Sequence, residues 1–206
     1  MTTGWREVPA DRLCVTSGTL APAGVTRFRV DSPTFRAVTP AAAEPRAQLK
    51  FTYAGPTATT RALGSGAIRQ QLGLKLRSQD PCNLLYVMWR FEPKQQLVVS
   101  IKRNPGLRTS AECGNQGYRN LKPRTEGKLP PITPGASHTL RAESSGETLR
   151  VFVDDALVWE GEIGAEALAL AGPIGVRSDN VRVEAELSGA PGGSAGACGS
   201  GGDEGE

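Results

Sequence analysis

The chain has one histidine, His138, and four cysteines, Cys14, Cys82, Cys113 and Cys198. No C-x-x-C pair or Cys/His cluster occurs, which excludes the usual zinc sites. Aromatic residues make up 5% of the sequence, and no recognised module accompanies the basic residues, so nucleic acid is an unfavoured partner. No apolar run approaches the roughly 18 residues of a membrane span. The opening "MTTGWREVPADRL" lacks the basic start and apolar middle of a signal peptide. The chain therefore reads as cytosolic, or as a mature form from which an export signal was removed. There is also no Ser/His/Asp arrangement, phosphate loop or nucleotide fingerprint.

What is present is a chain of 206 residues, 38% hydrophobic and 22% charged, with 25 Gly and 15 Pro. That length suits one substantial core. Short runs of alternating apolar and polar residues recur from Thr26 to Leu187, separated by "DSP", "GPT", "SQDPC", "EPKQ", "RNPG", "SSGE" and "RSDN". Such punctuation marks β-turns between strands, so the expected fold is an all-β, two-sheet antiparallel sandwich. "GAEALALAG" alone looks helical. The expected division is one domain over 1–187, then a Gly/Ser-rich tail over 188–206 that cannot offset its ordering entropy. Cys198 falls in that tail. Cys82 opens a strand and Cys113 lies in a Gly- and Asn-rich loop that a disulfide between them would close, although two separately buried thiols would read the same way.

Charge is unevenly distributed. From Arg61 to Arg124 there are twelve Lys or Arg against three acids, while from Ser137 onward four Arg face thirteen Asp or Glu. An anionic ligand would meet the middle of the chain, unless the two parts neutralise each other across the sandwich.

The stretch "GAIRQQLGLKLR" sharpens the point. Ile68, Leu72, Leu74 and Leu76 alternate with Arg69, Gln71, Lys75 and Arg77, as in a half-buried strand over Ala67–Arg77. "NLLYVMWRF" sets Leu85, Val87, Trp89 and Phe91 against Leu84, Tyr86, Met88 and Arg90. "LVVSIK" sets Leu97, Val99 and Ile101 against Val98, Ser100 and Lys102. If these strands are neighbours, Gln71, Lys75, Arg77, Tyr86, Arg90, Ser100 and Lys102 share one exposed basic face. A solvated outer face would show the same pattern. The loop that follows adds Asn104 and Tyr118, with Arg108, Asn115 and Arg119 nearby, a density of amide, Arg and Tyr groups suited to polyhydroxylated or anionic ligands.

The segments "SHTLRAESSGETLRVFVDDALVWEGEI" and "AGPIGVRSDNVRVEAEL" resemble the closing strands of concanavalin-A-like and laminin-G-like jelly rolls, with Asp154-Asp155-Ala156 in place of the usual Asp-Gly turn. The resemblance implies two stacked antiparallel sheets, one of them concave, and glycan binding in the concavity or at its rim. It casts Arg69, Gln71, Lys75, Arg77, Tyr86, Arg90, Lys102, Asn104 and Tyr118 as ligand-binding residues of a non-catalytic, lectin-like module for an acidic polysaccharide. Such a module would be secreted or displayed on a cell surface. Glycoside hydrolases of this fold carry an E-x-D-x-x-E strand, which is missing here. A polysaccharide lyase remains as an alternative, with Arg69, Gln71 and Tyr86 as available residue types, and so does a surface sandwich that binds another protein. No cofactor is expected beyond a structural calcium, for which Asp31, Asp179 and Asn180 are the candidates, each also suited to capping a turn.

Overall fold

The computed structural model describes residues 4–190 and Cys198. Alternation sets most of the strands: in Arg46–Pro56, Ala47, Leu49, Phe51 and Tyr53 are buried while Lys50 and Ala54 face out. In chain order the strands are β1 (Arg6–Glu7), β2 (Cys14–Ser17), β3 (Ala21–Pro22), β4 (Arg27–Val30), β5 (Thr34–Val38), β6 (Arg46–Pro56), β7 (Gln70–Asp80) and β8 (Asn83–Glu92). They continue as β9 (Gln96–Lys102), β10 (Tyr118–Asn120), β11 (Thr125–Glu126), β12 (Ser137–Ser145), β13 (Thr148–Val153), β14 (Ala156–Glu162), β15 (Gly175–Asp179) and β16 (Val181–Gly189). Two short helices, α1 (Ser110–Cys113) and α2 (Gly164–Leu168), complete the elements used below.

All pairings are antiparallel and form two sheets. One has seven strands in the order β10-β9-β8-β7-β15-β5-β2. The other has nine, ordered β11-β14-β13-β12-β6-β16-β4-β3, with β1 also paired to β16. Their facing sides interleave in a single core. Trp89 sits at its centre, edge-on to Phe51 at 5.8 Å and to Phe91 at 5.5 Å. These contacts confirm the expected two-sheet sandwich. Among the described residues, no helix is long and apolar enough to cross a membrane.

Three expectations change. The strand expected from Ala67 begins at Gln70, because the chain before it turns back on itself through a Leu63 N–H to Ala67 carbonyl bond of 2.9 Å. Ile68, expected in the core, is therefore 57% exposed. The stretch expected as a loop after Lys102 carries regular elements: α1, with a Thr109–Glu112 capping box at its start, and the strands β10 and β11. Finally, the last strand runs to Gly189 rather than ending at Leu187. The rest of the expected tail, Cys198 apart, lies outside the described residues.

Both disulfides are present, Cys82–Cys113 and Cys14–Cys198. The first closes the loop as expected. The second joins positions 184 residues apart and ties edge strand β2 to the chain beyond the last strand. Cross-linking so long a loop restricts the unfolded chain, so Cys14→Ser is expected to lower stability by about 2–4 kcal/mol. Thermal denaturation of oxidised wild type and variant measures this, and an unchanged melting temperature would contradict it.

Candidate ligand site on the seven-stranded sheet

Strand register brings the candidate residues together on the side of the seven-stranded sheet that faces away from the core. One row across the sheet runs Arg36, Arg177, Gly73, Met88, Val98. The row on one side of it runs Asp179, Gln71, Arg90. The row on the other side runs Gly175, Lys75, Tyr86, Ser100, Asn120. Lys102 pairs with Tyr118 one step further on. The expected adjacency of β7, β8 and β9 is therefore correct.

The face is not simply exposed. Gln71 is 3% and Lys75 1% exposed, and Lys102 is buried as well. Expectation and structure part here because loops and long neighbouring side chains cover this face. Lys102 Nζ donates to the Gly114 carbonyl at 2.7 Å and lies 5.1 Å from the Tyr118 ring centre.

Asp179 organises the floor. Arg36 Nη2 donates to its Oδ1 at 2.8 Å, while Gln71 Nε2 and Arg177 Nε donate to its Oδ2 at 2.6 and 3.0 Å. Burial alone would raise its pKa, but Arg177 and Arg36, with the Gln71 hydrogen bond, outweigh burial and hold the carboxyl at about 2. Burial likewise opposes the charge on Arg177, yet Asp179, Tyr86 and Tyr118 raise its pKa well above the ordinary value. Arg177 is thus a permanent buried cation, and it reaches across the sheet. Its guanidinium lies 5.0 Å from the Tyr86 ring centre, and Nη1 donates to Tyr118 Oη at 3.2 Å. Gly73 lies opposite Arg177 on β7, and a Cβ there would meet the Val87 carbonyl oxygen at 2.1 Å and Met88 Sδ at 2.7 Å.

Tyr86 and Tyr118 stack with ring centres 6.0 Å apart. Tyr118 is 36% exposed, so part of its ring faces solvent, while its hydroxyl meets buried Arg177. Burial, then Tyr86, pushes its pKa up to about 12. Two cavities of about 230 and 340 Å³ flank this pair and share Tyr86, Asn115, Tyr118 and Arg177. The smaller one adds Arg69, Gln71 and Arg90. Burial first, then repulsion from Arg69 and Arg177, lowers the Arg90 pKa. Arg90 pairs with no carboxylate among the described residues, and its Nε is buried without a hydrogen-bond partner.

Seven of the nine candidate residues lie on this face or line its cavities: Arg69, Gln71, Lys75, Tyr86, Arg90, Lys102 and Tyr118. Two do not line them. Arg77 has a left-handed φ of 49°, next to the irregularity in β7, and turns away to donate Nη1 to the carbonyls of Leu168, the last residue of α2, and Leu170. Asn104 is buried, and its Nδ2 donates to the Cys82 and Gln116 carbonyls, fixing the loop that carries Asn115. Arg36, Arg177 and Asp179 complete the floor; the two arginines were not anticipated as site residues, and Asp179 was expected only as a calcium candidate. One sequence signal pointed to them: Arg177 and Asp179 share a strand face in "VRSD", and Arg36 interrupts the apolar "TFRAV".

Of the calcium candidates, Asp179 directs its oxygens at N–H donors. Asn180 Oδ1 accepts the Arg61 N–H at 2.7 Å, and Asp31 is exposed after β4. His138 belongs to the other sheet, with Nδ1 2.7 Å from Asp154 Oδ2.

The Asp179 charge makes stability pH-dependent. Its folded pKa of about 2 lies below the ordinary 3.8. The stabilisation is therefore complete above the unfolded value and is lost as pH falls through the folded one, amounting to about 2 kcal/mol. Asp179→Asn should abolish that dependence and destabilise by about 3–5 kcal/mol, since two buried guanidinium groups lose their counterion. Urea denaturation between pH 2 and 6 measures both effects, and a variant as stable as wild type would contradict the assignment.

No family model matches the chain, and no curated protein matches it. Solved structures do. The carbohydrate binding module CBM66 from Bacillus subtilis is similar at a TM-score of 0.59 and 14% identity, over 84% of this chain and 91% of that one. The Emp46p carbohydrate recognition domain is similar at a TM-score of 0.51 and 11% identity, over 86% and 87%. The apo Crh5 transglycosylase is similar at 0.50 and 11%, over 91% and 85%. At such identities the likeness is one of fold alone, a two-sheet antiparallel β-sandwich.

Proposed function

We propose that the protein is a carbohydrate-binding, lectin-like module, and that its ligand is an acidic glycan seated on the outer face of the seven-stranded sheet. One observation carries this reading. Arg69, Arg90 and Arg177 line one small cavity that has no acidic residue in its described lining, while Asp179 lies buried behind it, engaged by Arg177, Arg36 and Gln71. Burial first, then repulsion from Arg69 and Arg177, disfavours the Arg90 charge; an incoming anion would offset that repulsion, and a guanidinium suits the planar geometry of a uronate carboxylate. The partly exposed Tyr118 ring offers a sugar an apolar face, and Asn115, Asn120 and Ser100 offer hydrogen bonds to hydroxyls. The names of CBM66 and the Emp46p domain, which share the fold, agree with carbohydrate as the ligand class.

Two disulfides fit an oxidising compartment, and an extracellular polysaccharide would be met by a secreted or surface-displayed protein.

Arg90→Ala tests the site at small structural cost, since Arg90 makes no side-chain hydrogen bond among the described residues. Calorimetric titration with uronate-containing, sulfated and neutral oligosaccharides should show acid-selective binding by the wild type. The variant should bind about 10- to 100-fold more weakly, the scale of one charge-assisted hydrogen bond. Its melting temperature should stay within a few degrees. Preference for neutral glycans, or equal affinity in the variant, would contradict the proposal.

A further inference from the structure

Asn180 separates β15 of one sheet from β16 of the other. It is fully buried and has a left-handed φ of 55°. That backbone is common for asparagine and explains the choice of residue without reference to its side chain. The side chain nevertheless has three further partners. Oδ1 accepts the Arg61 N–H at 2.7 Å, and Nδ2 donates to the Arg61 carbonyl at 2.8 Å and the Arg69 carbonyl at 2.9 Å. With both Nδ2 partners carbonyls and the Oδ1 partner an N–H, the amide orientation is unambiguous.

Arg61 and Arg69 are the two feet of one loop. Inside it, Leu63 bonds to Ala67 and Gly66 to Leu63. Leu63 and Ser65 line the smaller cavity, Gly64 lines the larger, and Arg69 supplies one of the three converging cations. One amide therefore pinches a compact loop shut at its base and holds its tip over the candidate site.

We infer that Asn180 is a positioning residue for ligand binding, fixing the 61–69 loop as a wall of the cavity and delivering Arg69 to the anion. The inference rests on the binding reading above. It divides the labour of two consecutive residues: Asp179 sets the charged floor and Asn180 sets the wall. The Asn180 N–H to Pro33 carbonyl bond of 2.8 Å belongs to the backbone and survives loss of the side chain.

Asn180→Gly is the variant of choice, because glycine accepts the left-handed φ and only the clamp is lost. Limited trypsin digestion reads the loop without any ligand. Cleavage after Arg61 and Arg69 should accelerate at least tenfold while other sites are unchanged. Unchanged cleavage would overturn the clamp. Calorimetric titration with the acidic oligosaccharide that wild type binds then reads the role in recognition. Affinity should fall about tenfold, and Arg69→Ala, costly in wild type, should have less than a twofold effect in the Asn180→Gly background. Additive losses would overturn the positioning role, since Arg69 would then act independently of the clamp. Accelerated cleavage with no glycan bound by wild type would uphold the clamp and refute the binding reading instead.

Discussion

Two buried guanidinium groups share one buried carboxylate, and the candidate site depends on that arrangement. Arg36, Arg177 and Asp179 come from neighbouring strands β5 and β15, and each is less than a tenth exposed. Removing Asp179 would leave two buried cations without their counterion, a cost of several kcal/mol. The gain is a rigid cation: Arg177, fixed through its Nε, extends past Gly73 to Tyr86 and Tyr118. A hydrated surface arginine would sample many rotamers and lose that freedom on binding. Here the ordering is done by folding.

The two sheets handle charge differently. On the nine-stranded sheet, exposed cations meet acids across the strands: Arg27 and Arg29 pair with Glu184, and Arg150 with Glu160. Among the described residues, most acids from Ser137 onward are neutralised there locally. Asp179 is the acid that half contributes to the cavity floor. The sequence asymmetry thus survives folding as a positive cavity on one side and a mixed surface on the other, which favours encounter with anions from one direction. Disulfide Cys82–Cys113 and the Asn104 N–H to Asn83 Oδ1 hydrogen bond brace one wall, and Asn180 braces the other. Floor and walls are therefore held by interactions of different kinds.

Much of the fold could be read from alternation alone. Leu72, Leu74 and Leu76 enter the core as their spacing requires, and β7, β8 and β9 are neighbours. The basic residues beside them were legible as a group, but their burial was not. Whether Lys75 faces water depends on what crosses above it, a non-local matter that no window around residue 75 records. Arg77 escaped the pattern because a left-handed φ breaks the period of two. Arg36, Arg177 and Asp179 were visible one at a time but lacked a reason to be joined until register placed β5 against β15. Cys198 gave no local sign of its partner Cys14, 184 residues earlier.

The central claim is that an acidic glycan binds where Arg90 and Arg177 converge. Side-chain NMR of the arginine Nε–Hε groups, followed during titration with a uronate oligosaccharide, addresses it most directly. The account predicts that the Arg90 and Arg177 signals shift and saturate together while Arg27 and Arg29 on the opposite sheet stay still. Shifts confined to the nine-stranded sheet, or none at saturating ligand, would contradict it.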